Sequence, residues 1–215
     1  MSVNSAVQRR DEIVSAAEKV FDARGFAATT MDAVAEEAGI AKGSLYNYFK
    51  SKQDLFLGVF TRVMARNEAD AQQRLAEGES ATYKLQSLLD LWIGRLEEHK
   101  RVGRLLLEFW ATAAREDRQG ELAKAFAAIY ARWRDLLSGI LDQGIAAGEF
   151  KAEYDSPVGA SLIMAVLDGI VVQLIMDAGL EASEQLWAAL KRAILIALRA
   201  EGQAAPPQGQ QGGRD

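Results

Sequence analysis

Apolar residues recur at helical spacing along nearly the whole of this chain. After a polar start, Ile13, Ala16, Ala17, Val20 and Phe21 follow the i, i+3, i+4, i+7, i+8 pattern of a helix with one buried stripe. Arg24, Gly25 and Phe26 then supply a basic last turn, a stop and an apolar anchor. Met31, Val34, Ala35 and Ala38 make the apolar face of a short second helix. Thr29, followed three residues later by Asp32, fits a capping box for it, and Thr30 serves equally as the cap. Gly39 ends that helix, and a third begins near Lys42 or Gly43 with Leu45 and Phe49 pointing inward. Two short helices joined by a short turn with Gly form the helix-turn-helix pattern.

The fourth helix runs over about 53–77. Leu55, Phe56, Val59, Phe60 and Val63 are buried first and a wetter stretch from Arg66 to Arg74 follows, as suits a connector between two packed units. Gly78-Glu79-Ser80 breaks the pattern and marks a domain boundary. Five further helices are predicted, at about 81–98, 102–116, 120–148, 157–178 and 183–200, with Pro157 at a first helical position and Gly179 as a stop. Residues 201–215, rich in Gly, Gln and Pro, read as a disordered tail. The expectation is an all-α protein of about nine helices. Residues 1–52 form the helix-turn-helix domain, 53–77 connect, 78–200 form a second helical domain, and 201–215 follow.

Composition agrees with that fold class: 215 residues, 49% apolar, 3 prolines and no long alternating Val/Ile/Thr run. The absence of cysteine excludes a disulfide framework and thiolate metal sites. With no apolar leader in residues 1–10, it points to a cytoplasmic protein. The longest apolar stretch, 158–176, is interrupted by Asp168 and Gln173 and reads as a buried or interface helix better than as a membrane span.

Charge changes the picture at one place. Residues 39–52 carry three lysines and no carboxylate in a chain of formal net charge -5, and counterion release rewards clustered cations whatever the total charge. Tyr46 and Tyr48 stand beside those lysines on the third helix, turned toward solvent. Catalytic chemistry finds little support. The single histidine, His99, sits among Glu97, Glu98, Lys100 and Arg101 and reads as a solvated helix end, and there is no histidine pair, glycine-rich phosphate loop or paired-carboxylate motif. No metal and no cofactor are expected.

Thr29-Thr30-Met31 with Ala35, Ala38-Gly39, the run from Lys42 to Phe49, and Lys50-Ser51-Lys52 resemble the amino-terminal domain of the TetR family of bacterial transcriptional repressors. The match covers residues 9 to 60, about a quarter of the chain. It implies that Thr29 or Thr30 offers hydroxyl and N–H groups to a phosphate at the head of the second helix. Lys42, Gly43 and Ser44 open a recognition helix, Gly43 and Ser44 being small enough for close approach to base edges. Tyr46 and Tyr48 contact phosphates, sugars or thymine methyls, Asn47 adds a base or backbone contact, and Lys52 clamps an outer phosphate. Asn47 departs from the pattern, since many relatives carry His there.

The second domain is rich in aromatic and Met side chains. Trp92, Phe109, Tyr130, Trp133 and Met164 are the candidates for a cavity between helices, with Asp168, and less so Glu108, as carboxylates that could face it. The resemblance implies an inducer pocket here, and an aromatic, sulfur-containing lining suits a hydrophobic effector. Leu162, Val166, Ile170, Trp187, Leu190 and Ile194 belong to the last two helices, whose apolar residues lie on more than one side. The resemblance implies a two-fold dimer through this pair, which sets two recognition helices about 34 Å apart on a palindrome. The function expected is therefore a ligand-responsive DNA-binding regulator, most simply a repressor released by its effector. The alternative is a helical lipid or small-molecule carrier, which leaves the solvent-facing Tyr and Lys groups of the third helix unexplained.

Overall fold

The computed structural model describes residues 3–76, 80–113, 119–153 and 155–199. Nine helices and no strand are found among them: α1 Val3–Ala28, α2 Met31–Glu37, α3 Lys42–Tyr48, α4 Lys52–Ala76, α5 Ala81–Gly94, α6 Leu96–Ala113, α7 Gln119–Ala146, α8 Ser156–Ile175 and α9 Glu184–Leu198. The break expected at 78 and the tail at 201–215 lie outside the described residues.

Regular helix ends at Arg24, because Gly25 takes φ 75°, ψ 173° inside α1 and turns the chain. A side chain is excluded there twice over, since that φ disfavours L residues and a Cβ would lie 3.1 Å from both carboxylate oxygens of Glu108. Thr30 is the cap of α2, its hydroxyl accepting from the Ala33 N–H at 3.2 Å. The turn that follows is a Schellman closure: Gly39, at φ 64°, donates to Glu36 O (3.1 Å) and Ile40 donates to Ala35 O (3.0 Å). This closure sets the angle at which α3 leaves α2.

Two cores result. The first holds Ile13, Val14, Ala17, Phe21, Phe26, Val34, Leu45, Phe49, Leu55 and Phe56 from α1 to α4, and it also takes Leu105 and Phe109 from α6. Phe109 stacks on Phe56 (centroids 4.8 Å apart) and meets Phe26 edge-on at 5.2 Å. The second joins Leu85, Leu88, Leu89, Leu137, Leu141, Ile163, Leu167, Leu195 and Leu198 from α5, α7, α8 and α9, with Ala71 of α4. The amino-terminal unit is therefore completed by a helix from the other side of the expected boundary.

The α5–α6 junction differs from the expected helices at 81–98 and 102–116. A single residue, Arg95, interrupts the path, and α6 starts at Leu96. Arg95 leaves helical geometry at φ -111°, ψ 18°, while its guanidinium bonds to Asn67 and Asp70 on α4. That ion pair tethers the bend to α4. Helix α8 stops at Ile175, short of residue 178, and Asp177 is left-handed (φ 50°).

Candidate functional site

The exposed face of α2 and α3 is assembled from the bottom of the first core. Leu45 and Phe49 are buried, so Lys42, Gly43, Ser44, Tyr46 and Asn47 of the same seven-residue helix face water. A Cβ at Gly43 would meet no atom, leaving the first turn of α3 open to close approach. Tyr48 is half-buried and packs its ring against the core. Lys42 Nζ lies 2.8 Å from Asp32 Oδ1 in a solvent-exposed pair, a contact that water and salt already weaken and that a phosphate can replace at little cost. Lys50 donates to the Tyr46 carbonyl at 3.0 Å.

Two expected DNA contacts change. Thr29 is 1% exposed, and its hydroxyl donates to the Gly25 carbonyl at 2.7 Å, so it closes the end of α1 and leaves the outward hydroxyl to Thr30. Lys52 Nζ donates to the carbonyls of Phe26 (2.8 Å) and Ala27 (3.0 Å) and lies 4.6 Å from the Phe26 ring centroid. A cation at the carboxyl end of a helix satisfies its last carbonyls, so here Lys52 holds α1 and α4 together.

The second region is a partly open cavity of ≈ 200 Å³ among α4 to α8. Trp92, Tyr130, Trp133, Met164 and Asp168 line it, as do Phe60, Leu85, Leu88, Leu106, Phe126 and Ile129. Phe60 and Phe126 stack at 4.6 Å between cavity and first core. Tyr130 Oη donates to Asp168 Oδ2 at 2.8 Å, linking α7 to α8. Burial pushes the Asp168 carboxyl up, against the lowering effect of the Tyr130 hydroxyl, and burial followed by the Asp168 charge holds the Tyr130 proton more tightly than usual.

Phe109 and Glu108 are corrections. Both lie where α6 meets α1: Phe109 fills the first core, and the Glu108 carboxylate accepts the Ala27 N–H at 3.0 Å. His99 is a second kind of correction, because it lines the cavity and is not solvated. Its ring stacks on Trp92 at 5.1 Å, and Nε2 is enclosed without a hydrogen-bond partner among the described residues. Burial lowers its pKa to about 4, with Arg95 also lowering it and Glu98 and a backbone bond to Trp92 opposing. Its charged sequence neighbours hid this, yet His99, Val102, Gly103 and Leu106 recur at i, i+3, i+4, i+7 and all four line the cavity. Asn67 and Arg95 carried no comparable signal.

Helix α6 thus serves two sites through adjacent faces. One face carries those four cavity residues. The other carries Arg101, paired with Asp22 at 2.7 Å, with Leu105, Glu108 and Phe109 against α1 and α4. Gly103 lets α6 approach α8 closely, since a Cβ there would fall 2.6 Å from Ile175 Cδ1.

On α8 a separate apolar surface is left exposed by the described residues. Leu162 (57% exposed) and Val166 (47%) face outward with Val158, Val172 and Met176, while Ile170 (7%) is turned into the chain's own interior and cannot contact a partner. Of the α9 candidates, Trp187, Leu190 and Ile194 are half-buried; Trp187 meets Trp92 edge-on, and Leu190 and Ile194 pack on the second core. By length and composition α8 could cross a membrane (mean hydropathy 2.1), but Ile163 and Leu167 bind it into the second core.

Comparison with known proteins finds two family models. That of bacterial regulatory proteins, tetR family, matches residues 13–59, and that of the carboxy-terminal domain of BetI-type transcriptional repressors matches residues 81–199. The chain is 27% identical over 167 residues to the fatty acid metabolism regulator protein of Bacillus subtilis, covering 77% of this chain and 83% of that one. It is 31% identical over 169 residues to the HTH-type transcriptional regulator YfiR of the same organism, covering 76% and 78%. Among solved structures, a TetR transcriptional regulator from Chloroflexus aurantiacus superposes with a TM-score of 0.72 at 25% identity over 92% of this chain and 99% of that one. The regulator FadR of Bacillus subtilis, solved in complex with stearoyl-CoA, superposes with a TM-score of 0.63 at 25% identity over 86% and 97%.

Proposed function

Since this chain belongs to the TetR family of bacterial regulatory proteins, a ligand-responsive DNA-binding regulator and not an enzyme, we propose that it is a dimeric repressor released from a palindromic operator by a hydrophobic effector. The observation that carries the proposal is α6, whose adjacent faces line the cavity and pack on the helices behind the reading face. Anything that shifts α6 on binding must disturb its contacts with α1 and α4. A closely packed interior passes such shifts on instead of absorbing them.

The reading face is assigned to Thr30, Lys42, Gly43, Ser44, Tyr46, Asn47 and Tyr48. Thr30 and the free N–H groups at the head of α2 meet phosphate, the small first turn of α3 approaches base edges, and the tyrosines contact the backbone. Dimerisation is supported by the uncovered α8 surface around Leu162 and Val166, joined by the outward residues of α9 such as Ile196. A hydrophobic effector is supported by the aromatic and Met lining. A relative of the same fold has been solved in complex with stearoyl-CoA, which supports the same reading.

Selection of binding sites from random duplexes, followed by fluorescence anisotropy, tests the repressor reading. The expected product is an inverted repeat with half-sites about one helical turn apart, bound with roughly nanomolar affinity that weakens steeply with salt. Recovery of no repeat, or equal affinity for selected and random duplex, overturns the proposal.

A further inference from the structure

The polar groups in the cavity wall differ in how fully their charges are answered. Besides the indole N–H groups of Trp92 and Trp133, the polar side chains of the wall are Asn67, Arg95, His99, Tyr130 and Asp168. Arg95 is already engaged on α4, its guanidinium paired with the Asp70 carboxylate outside the wall and bonded to the Asn67 amide within it. His99 is a neutral ring stacked on Trp92. Tyr130 is neutral and spends its proton on Asp168. Asp168 remains: its carboxylate accepts one hydrogen bond, from Tyr130 at 2.8 Å, and forms no ion pair among the described residues.

Met164, Leu167 and Val171 flank Asp168 on α8 and line the same wall, so the exposed Asp168 carboxylate borders an apolar surface. Across from it α7 presents Tyr130 and Trp133 three residues apart on one face, and α5 presents Trp92. Aromatic faces attract cations, and a carboxylate with open lone pairs is the natural acceptor for a charged N–H group. A carboxylate ligand placed there would instead bring two like charges together and would have to take up a proton or withdraw. Hydrophobicity sets the body of the effector, and Asp168 sets its polar end.

We propose that the cavity binds a hydrophobic molecule carrying one protonated amine, whose N–H donates to the Asp168 carboxylate while the apolar body lies against Trp92, Trp133 and Met164. The proposal rests on the effector-binding reading above and names the chemical class of the effector. It also separates this cavity from one that accepts the acidic end of a fatty acid. The hydrogen bond from Tyr130 fixes the Asp168 carboxylate against α7, so the acceptor is positioned before the ligand arrives.

Isothermal titration of the full-length protein at pH 7, without DNA, with n-decylammonium, decan-1-ol and decanoate, each below its micellar concentration, tests this directly. The chains are equal and only the head group changes. The ammonium is expected to bind at least about tenfold more tightly than the alcohol, with decanoate weakest. In Asp168→Asn the ammonium and the alcohol are expected to bind alike, which removes the preference without filling the cavity. Decanoate binding as tightly as the ammonium, a preference that survives in Asp168→Asn, or no binding of the ammonium overturns the assignment. Should the variant not fold, the wild-type series of three head groups decides alone. Failure here leaves the operator-selection result untouched, and failure of that selection leaves these isotherms unchanged.

Discussion

His99 shows how much one residue's surroundings decide. It is the chain's single histidine, flanked in sequence by charged residues, yet helical geometry turns it inward onto Trp92. Burial drives its pKa from 6.5 to about 4, so the folded protein holds the ring neutral where an unfolded chain would begin to protonate it. The unfolded state then binds more protons below pH 6.5, and stability falls as pH drops from 6.5 toward 4, with a slope of up to about 1.4 kcal/mol per pH unit. A single imidazole resonance makes this directly readable by NMR. Titration near pH 4 agrees with the buried site, whereas a midpoint near 6.5 places His99 in water. Thr29 and Thr30 teach a related lesson. Either fits the capping pattern, and only the path of α1 after Gly25 decides that Thr29 Oγ1 turns in to the Gly25 carbonyl while Thr30 caps α2.

At the scale of elements, most helices were legible because an apolar stripe must repeat at 3.6 residues to be buried, and the stripes of α1, α2, α4 and α7 do so. What was not legible was contact between elements distant in sequence. The bend at Arg95 depends on Asn67 and Asp70 some 25 residues away in the chain, and the place of Phe109 depends on Phe26 and Phe56. The start of α5 is a similar case. Glu149, just past α7, accepts the N–H groups of Ala81 (3.0 Å) and Thr82 (2.9 Å), capping a helix 67 residues earlier. Burial raises its carboxyl, but hydrogen bonds from the Thr82 side chain and from these two N–H groups outweigh it, and the pKa falls below the usual glutamate value of 4.5. A depressed carboxylate stabilises the fold above its unfolded pKa and loses that contribution as pH falls through the folded one. Glu149→Gln is expected to cost about 1 kcal/mol at pH 7, lowering the thermal midpoint by about 2–4 °C, with the difference closing in acid. An unchanged midpoint at pH 7 would remove Glu149 from the cap.

For the molecule as a whole, the two-part plan was readable: a basic, tyrosine-bearing short helix near one end and an aromatic, Met-rich bundle after it. Five of the seven cavity candidates line one cavity, since a bundle directs its bulky apolar groups inward. Phe109 and Glu108 are the exceptions because α6 divides its residues between two cores, and a helical repeat does not say which neighbour each face meets. That division is also what joins the parts. Contacts from Arg101 to Asp22 and from Glu108 to Ala27 bind α6 to α1, while His99, Val102 and Leu106 bring the cavity to the same helix. The central claim is that cavity and reading face are energetically coupled. It is tested most directly by measuring anisotropy of the selected duplex while titrating a compound first chosen because it raises the protein's thermal midpoint. Coupling of about 1–3 kcal/mol predicts that DNA affinity falls by roughly 5- to 150-fold at saturating compound. A compound that stabilises the protein and leaves DNA affinity unchanged would contradict the account.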